Sequence, residues 1–173
     1  MTTSTPLGPT IVQRPARPYA GITGSVTMAT FHEIADRFPD VFGWLGARGI
    51  APAGAPFFRY HVIDMARELV VTAGVPVPAP VEGDDLVHAG TLPAGRYATV
   101  TAVGHPKELV GVTGALLDWA AERGLVWDRT DTPEGERWGS RLEFYHTDPA
   151  EEPDMNNWTV ELAFRLADSA GSD

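Results

Sequence analysis

The sequence predicts an α+β fold of two βαββ modules related by a pseudo-two-fold axis, on three observations. Several short runs alternate apolar and polar residues, the period of a half-buried strand. Two longer runs, Phe31 to Leu45 and Leu109 to Ala120, repeat their apolar residues every three or four positions, the period of an amphipathic helix. Landmarks of the first half then return in the second half in the same order, the mark of an internal repeat.

The elements follow in turn. Residues 1–10, rich in Thr and Pro, read as a flexible leader. Ile11 to Arg14 is a strand, Pro15 to Pro18 a turn, and Tyr19 to Val26 the next strand. The apolar stripe of Phe31, Ile34, Ala35, Phe38, Phe42 and Leu45 comes next. Pro39 inside it lacks an amide donor, so the stretch is kinked or divided into two short helices. Thr30 is the candidate N-cap, and Gly49 before Ile50 the candidate left-handed stop. Pro56 to Val62 and Glu68 to Ala73 complete module one, about residues 11–77, as strands. The Pro-rich, acidic run at about 78–85 is a linker.

Module two, about residues 86–168, repeats the plan, with Leu86 to Leu92 as its leading strand. The pattern Pro-Ala-x-x-Tyr occurs at Pro15 to Tyr19 and again at Pro93 to Tyr97. A helix from about Pro106 to Arg123 carries Leu109, Val112, Leu116 and Ala120 on one stripe. It ends Arg123-Gly124-Leu125, as the first ends Arg48-Gly49-Ile50. Arg141 to His146 matches the strand holding Arg59-Tyr60-His61, Asn156 to Leu166 is the last strand, and residues 169–173 form a flexible tail. With one helix for about three strands, helices cover one face of each half-sheet and leave the other bare. Two such halves place a ligand cleft on the face away from the helices.

Composition narrows the function. The 173 residues suit one domain or a tightly fused pair, with a real core. The net charge of −10 argues against a nucleic-acid partner, whose binding relies on clustered Lys and Arg. The same field favours cationic small molecules, although acidic surfaces also serve solubility. There is no cysteine, which excludes disulfides and thiol nucleophiles, and no run of about 20 apolar residues to enter a membrane. A cytoplasmic protein is expected. The five histidines are scattered without ligand spacing, so neither a metal site nor a cofactor is expected. No nucleophile elbow, phosphate loop or dinucleotide fingerprint occurs.

Strand parity sorts the candidate site. In the last strand Trp158, Val160, Leu162, Phe164 and Leu166 share one face, while Thr159, Glu161, Ala163 and Arg165 share the other. With the first face packed under a helix, Glu161 lies on the cleft floor and the small Ala163 leaves room beside it. Tyr145 shares a face with Glu143 and Arg141, Tyr60 with Phe58, and Trp138 follows the loop Asp131 to Glu136 as a rim ring. The candidate ligand-binding residues are therefore Glu161, Tyr145, Trp138, Tyr60, Phe58, Ala163 and Glu143. Rings beside a carboxylate suit flat, hydrophobic, often cationic ligands, with each cation–π contact contributing roughly 0.5–2 kcal/mol. Structural roles stay open for the same residues: the tyrosines as half-buried strand residues, Trp138 as a packing anchor, Glu161 as a partner of Arg165 or Arg141.

The chain resembles the GyrI-like small-molecule-binding family, also met as the effector-binding domain of AraC- and MerR-type multidrug-sensing regulators. The resemblance rests on Arg59-Tyr60-His61, Pro76 to Gly83, Leu92 to Tyr97, Arg137 to Arg141, Tyr145 to Pro149 and Trp158 to Leu162, in that order. It implies two fused βαββ modules of the SHS2 type, a cleft between them, an acidic residue at Glu161, and hydrophobic, planar, often cationic ligands. Some relatives use the acidic residue to hydrolyse cyclopropane-bearing toxins. Thr72 stands where relatives carry a first-module Glu, which leaves one carboxylate instead of a symmetric pair.

Three functions follow as expectations. The first is a stand-alone binder or sensor of such compounds, since the fold takes up the chain from about Ile11 and leaves no room for a helix-turn-helix domain. The second is a hydrolase of strained electrophilic rings, with Glu161 catalytic and Tyr145 or Trp138 assisting. The third is a protein-binding role like that of the family's namesake, which antagonises DNA gyrase.

Overall fold

The computed structural model describes residues 8–27, 29–64, 67–148 and 151–167. Most of the expected leader and the whole of the tail lie outside them. In chain order the elements are β1 (Thr10–Arg14), β2 (Arg17–Val26), α1 (His32–Ala35), α2 (Phe38–Ala47), β3 (Phe57–Ile63) and β4 (Leu69–Pro76). There follow β5 (His88–Leu92), β6 (Gly95–Val103), α3 (Leu109–Glu122), β7 (Arg129–Thr132), β8 (Gly135–Trp138), β9 (Arg141–Tyr145) and β10 (Thr159–Arg165).

Pro39 divides the first helical stretch in two, occupying the first turn of α2, where its missing donor leaves no bond unmade. Thr30 does not cap α1. Its hydroxyl instead accepts from the Thr27 amide at 2.8 Å, tightening the turn before the helix. Both long helices stop in the same way. Gly49 (φ 68°) and Gly124 (φ 67°) take the left-handed conformation that glycine tolerates. The following apolar amides, Ile50 and Leu125, donate back to Leu45 and Ala120, each at 3.0 Å.

The main sheet runs β1-β6-β10-β9-β3-β4-β2-β5, and all its pairings are antiparallel. The order is palindromic about the β3–β9 contact, where Phe57 faces Phe144. The leading strands, however, cross over: β1 pairs with β6 of the second half, and β5 with β2 of the first. A further hairpin, β7–β8, stands where the sequence suggested only a loop, and β8 joins β3 beyond β9.

The helix-bearing face buries Ile34, Val41, Trp44, Leu45, Leu116, Leu162 and Phe164. The opposite face is not bare, which corrects the sequence-based expectation. The sheet curls so that Tyr19, Phe57, Tyr97, Leu142, Phe144 and Ala163 pack together on it, all 3% exposed or less. Each large apolar side chain buried there contributes about 1.5–3 kcal/mol. The crossed leading strands supply Val12 and Leu92 to this second core, closing the space where a cleft was expected.

Candidate functional site

The helices pack on outer strands: α1 and α2 on β2 and β4, and α3 on β6. The central strands β3 and β9 are therefore left uncovered between α1 and α3. A cavity of about 540 Å³ occupies that gap. Phe58, Tyr60, Arg141, Glu143 and Tyr145 form its floor, Phe31, His32 and Ala35 one wall, and Leu109, Val110 and Thr113 the other. Lys107 reaches the mouth. The cleft thus lies on the same face as the helices, not on the face away from them.

Period-two alternation puts Arg141, Glu143 and Tyr145 on one face of β9, beside Phe164, Leu162 and Val160 of β10. A bulge at His61 shifts the parity of β3, so that Ile63 joins Phe58 and Tyr60 in lining the cavity. The rings form a continuous wall. Phe58 meets Phe31 and Phe38 at 4.9 Å and Tyr145 edge-on at 5.5 Å, while Phe31 stacks parallel to Tyr60 at 6.0 Å. Offset and edge-on pairs are favoured by the ring quadrupole, which stiffens a wall that would otherwise collapse into the gap.

Glu143 is the half-buried acid of the site. It accepts a hydrogen bond from the Tyr145 hydroxyl at 2.9 Å, and the Tyr60 hydroxyl is a second donor to it. Burial pushes its carboxyl above the ordinary range, against the opposing pull of both phenols and of Arg141. Burial and then the Glu143 charge raise both tyrosines, so their hydroxyls stay protonated and donate. Arg141 packs against Phe164 and Trp138, its guanidinium carbon 4.5 and 4.9 Å from their ring centres. Burial pulls its pKa down. The arrangement can stack a flat ring and offer it a carboxylate, phenol hydroxyls and a guanidinium.

Of the expected ligand-binding residues, the cavity collects Phe58, Tyr60, Glu143 and Tyr145. The other three lie elsewhere. Glu161 projects from the opposite face of β10, where it pairs with Arg14 and, at 3.0 Å, with His146 Nε2, and not with Arg165 or Arg141. Its place as floor acid is taken by Glu143, because the uncovered patch opens beneath the helices. Ala163 is fully buried in the second core. Trp138 is 4% exposed and packs 5.6 Å from both Trp127 and Phe164, an anchor that does not line the cavity itself but packs against Arg141, which does. Arg141 escaped the sequence-based set, although its shared parity with Glu143 and Tyr145 was the signal that could have included it.

The remaining hollows offer less. A groove of about 600 Å³ separates the end of α2 from residues 78–83. Its Trp44 Nε1 and Arg48 are already bound to Asp84, at 2.8 and 2.9 Å. The crevice beside Arg14 on the opposite face holds about 10 Å³, too little for a ligand. Among the described residues no group of His, Cys, Asp or Glu is arranged to hold a metal ion, and no helix is long and apolar enough to cross a membrane.

Residues 8–167 match the GyrI-like small molecule binding domain. No curated protein sequence matches the chain. The C-terminal domain of EcmrR is similar in structure at a TM-score of 0.73 and 16% identity, covering 94% of this chain and 98% of that domain. An EcmrR chain in a complex with DNA gives 0.75, also at 16% identity and 94% of this chain, which spans only 58% of that chain's length. SAV2435, solved with bound tetraphenylphosphonium, is similar at 0.57 and 12% identity, covering 94% of this chain and 95% of its own. A hydrolase from Listeria innocua is similar at 0.63 and 12% identity, covering 92% of this chain and 91% of its own.

Proposed function

The chain belongs to the GyrI-like small molecule binding domain family, and from that premise we propose that it binds a flat, hydrophobic small molecule in the cavity between α1 and α3. The observation that carries this reading is the ring-walled space of about 540 Å³ with the Glu143 carboxylate on its floor. That volume is in the range of drug-sized ligand sites. The rings supply stacking, and the carboxylate draws a cationic group when one is present. Sequestration of lipophilic, often cationic compounds, or their sensing, is the function this supports. The relative bound to tetraphenylphosphonium is consistent with it.

Titration with tetraphenylphosphonium and with a neutral flat dye tests the reading. Saturable binding is expected, lost for both ligands in Thr113→Trp, which places an indole in the gap. Binding unchanged in that variant would overturn it.

Hydrolysis of a strained electrophilic ring is the second reading, favoured by the half-buried Glu143 with a phenol donor 2.9 Å away. A carboxylate so held can orient water as a general base. In this reading Glu143 takes the role first expected of Glu161, with Tyr145 assisting. Product release from a cyclopropanoid substrate, abolished in Glu143→Gln, would establish it.

A further inference from the structure

The cavity holds a second charged group that its own protein leaves without a hydrogen-bond partner. Among the described residues the Arg141 guanidinium makes no hydrogen bond, and no acidic oxygen lies within ion-pairing distance of it. Its Nε is fully shielded from solvent and has no partner. A buried donor without an acceptor is costly, and a guanidinium packed against the Phe164 and Trp138 rings is not free to swing away and find one. The neighbouring acid attracts it through space but supplies no hydrogen bond. Glu143 is engaged by the Tyr145 and Tyr60 hydroxyls and forms no close pair with Arg141. Lys107 adds a second positive charge at the mouth.

We propose that the ligand carries a carboxylate on its aromatic body, received by the Arg141 guanidinium while the rings of Phe31, Phe58 and Tyr60 hold the body. A planar, two-oxygen acceptor matches the fork of a guanidinium in a way that a cation or a neutral ring does not. Contact with the Phe164 and Trp138 rings holds that fork near its place in advance, so less side-chain freedom is lost when the carboxylate arrives. This inference rests on the cavity being the binding site and adds the chemical class of what enters it. A ligand that also bears a basic group can present it to Glu143, so the two polar subsites together suit an aromatic ampholyte.

The test is calorimetric titration of the full chain with pyrene-1-carboxylate and with its methyl ester, which share one ring system and differ in charge. The acid is expected to bind about tenfold tighter or better, the gap expected of one charge-assisted, bidentate contact. Arg141→Met, which keeps the packing against Phe164, should bring the acid down to the level of the ester and leave the ester unchanged. Arg141→Lys should retain part of the preference, and Lys107→Met nearly all of it. Equal binding of acid and ester by the wild type overturns this proposal while leaving the cavity reading intact. So does a preference that survives Arg141→Met or vanishes in Lys107→Met. Binding of both probes that is indifferent to Thr113→Trp, or binding of neither, overturns the cavity reading along with it.

Discussion

The Tyr145 hydroxyl donates to the Glu143 carboxylate at 2.9 Å from two positions along the same face of one strand. That contact fixes which acid belongs to the cavity. Around it stand a raised carboxyl, two protonated phenols, and a guanidinium whose Nε has no hydrogen-bond partner.

Glu143→Gln should separate charge from shape. Burial holds the Glu143 carboxyl above its ordinary value, so ionising it costs the fold free energy. The sign follows: this group's cost is absent below the ordinary Glu pKa and develops as pH rises through the raised one. Thermal melts should show the variant equal to wild type near pH 4 and more stable at pH 8. Affinity for a cationic probe should fall about tenfold while that for a neutral ring changes little.

Glu161→Gln should behave differently. Its ion pair with Arg14 and its hydrogen bond with His146 are only partly buried, on the face away from the cavity. The expected loss is about 0–1 kcal/mol, shrinking in high salt, with cavity affinity unchanged. Loss of ligand binding in this variant, measured beside Glu143→Gln, would contradict the site assignment.

His61 donates a pH dependence of opposite sign. Its ring lies against Thr72 Oγ1 at 2.7 Å, and burial pushes its pKa down to about 4. Unfolded chains take up a proton near the ordinary value of 6.5 while the fold does not, so stability falls as pH drops from 6.5 toward 4. Because the ring is only partly buried, the loss is on the order of 1–2 kcal/mol. Denaturant titrations of His61→Gln should show a flatter profile across that window.

Tyr97→Phe tests the second core. Tyr97 is 1% exposed, and its hydroxyl contacts the Pro93 carbonyl at 2.7 Å and Ser140 Oγ at 3.0 Å. Removing it leaves the buried Ser140 hydroxyl without this partner and should cost about 1–3 kcal/mol in chemical denaturation. Cavity affinity, measured with the same probes, should not change.

Much of the fold was legible in local patterns, because period and punctuation are local properties. The alternation in Arg141 to Tyr145 gave the strand and put Glu143, Tyr145 and Arg141 on one side of it. Pro39 marked the break between two helices, and the glycines at 49 and 124 marked their ends. The hairpin of β7 and β8 was missed because Arg129 to Thr132 and Gly135 to Trp138 are too short and polar to alternate visibly. The crossing of β1 and β5 between halves was invisible for a different reason: nothing in five residues says which distant edge they will pair with.

The sequence by itself determined the α+β class, the order of the elements and, through parity, which side chains travel together on each strand. Only the tertiary structure decided which of those faces stays open to a ligand. That choice depends on where the helices come to rest. They settled over the outer strands, and the exchanged leading strands filled the opposite side, so the gap formed above Glu143 and closed around Ala163 and Glu161. Parity assigns a residue to a face, but burial of that face is a long-range outcome of packing, and no local pattern carries it.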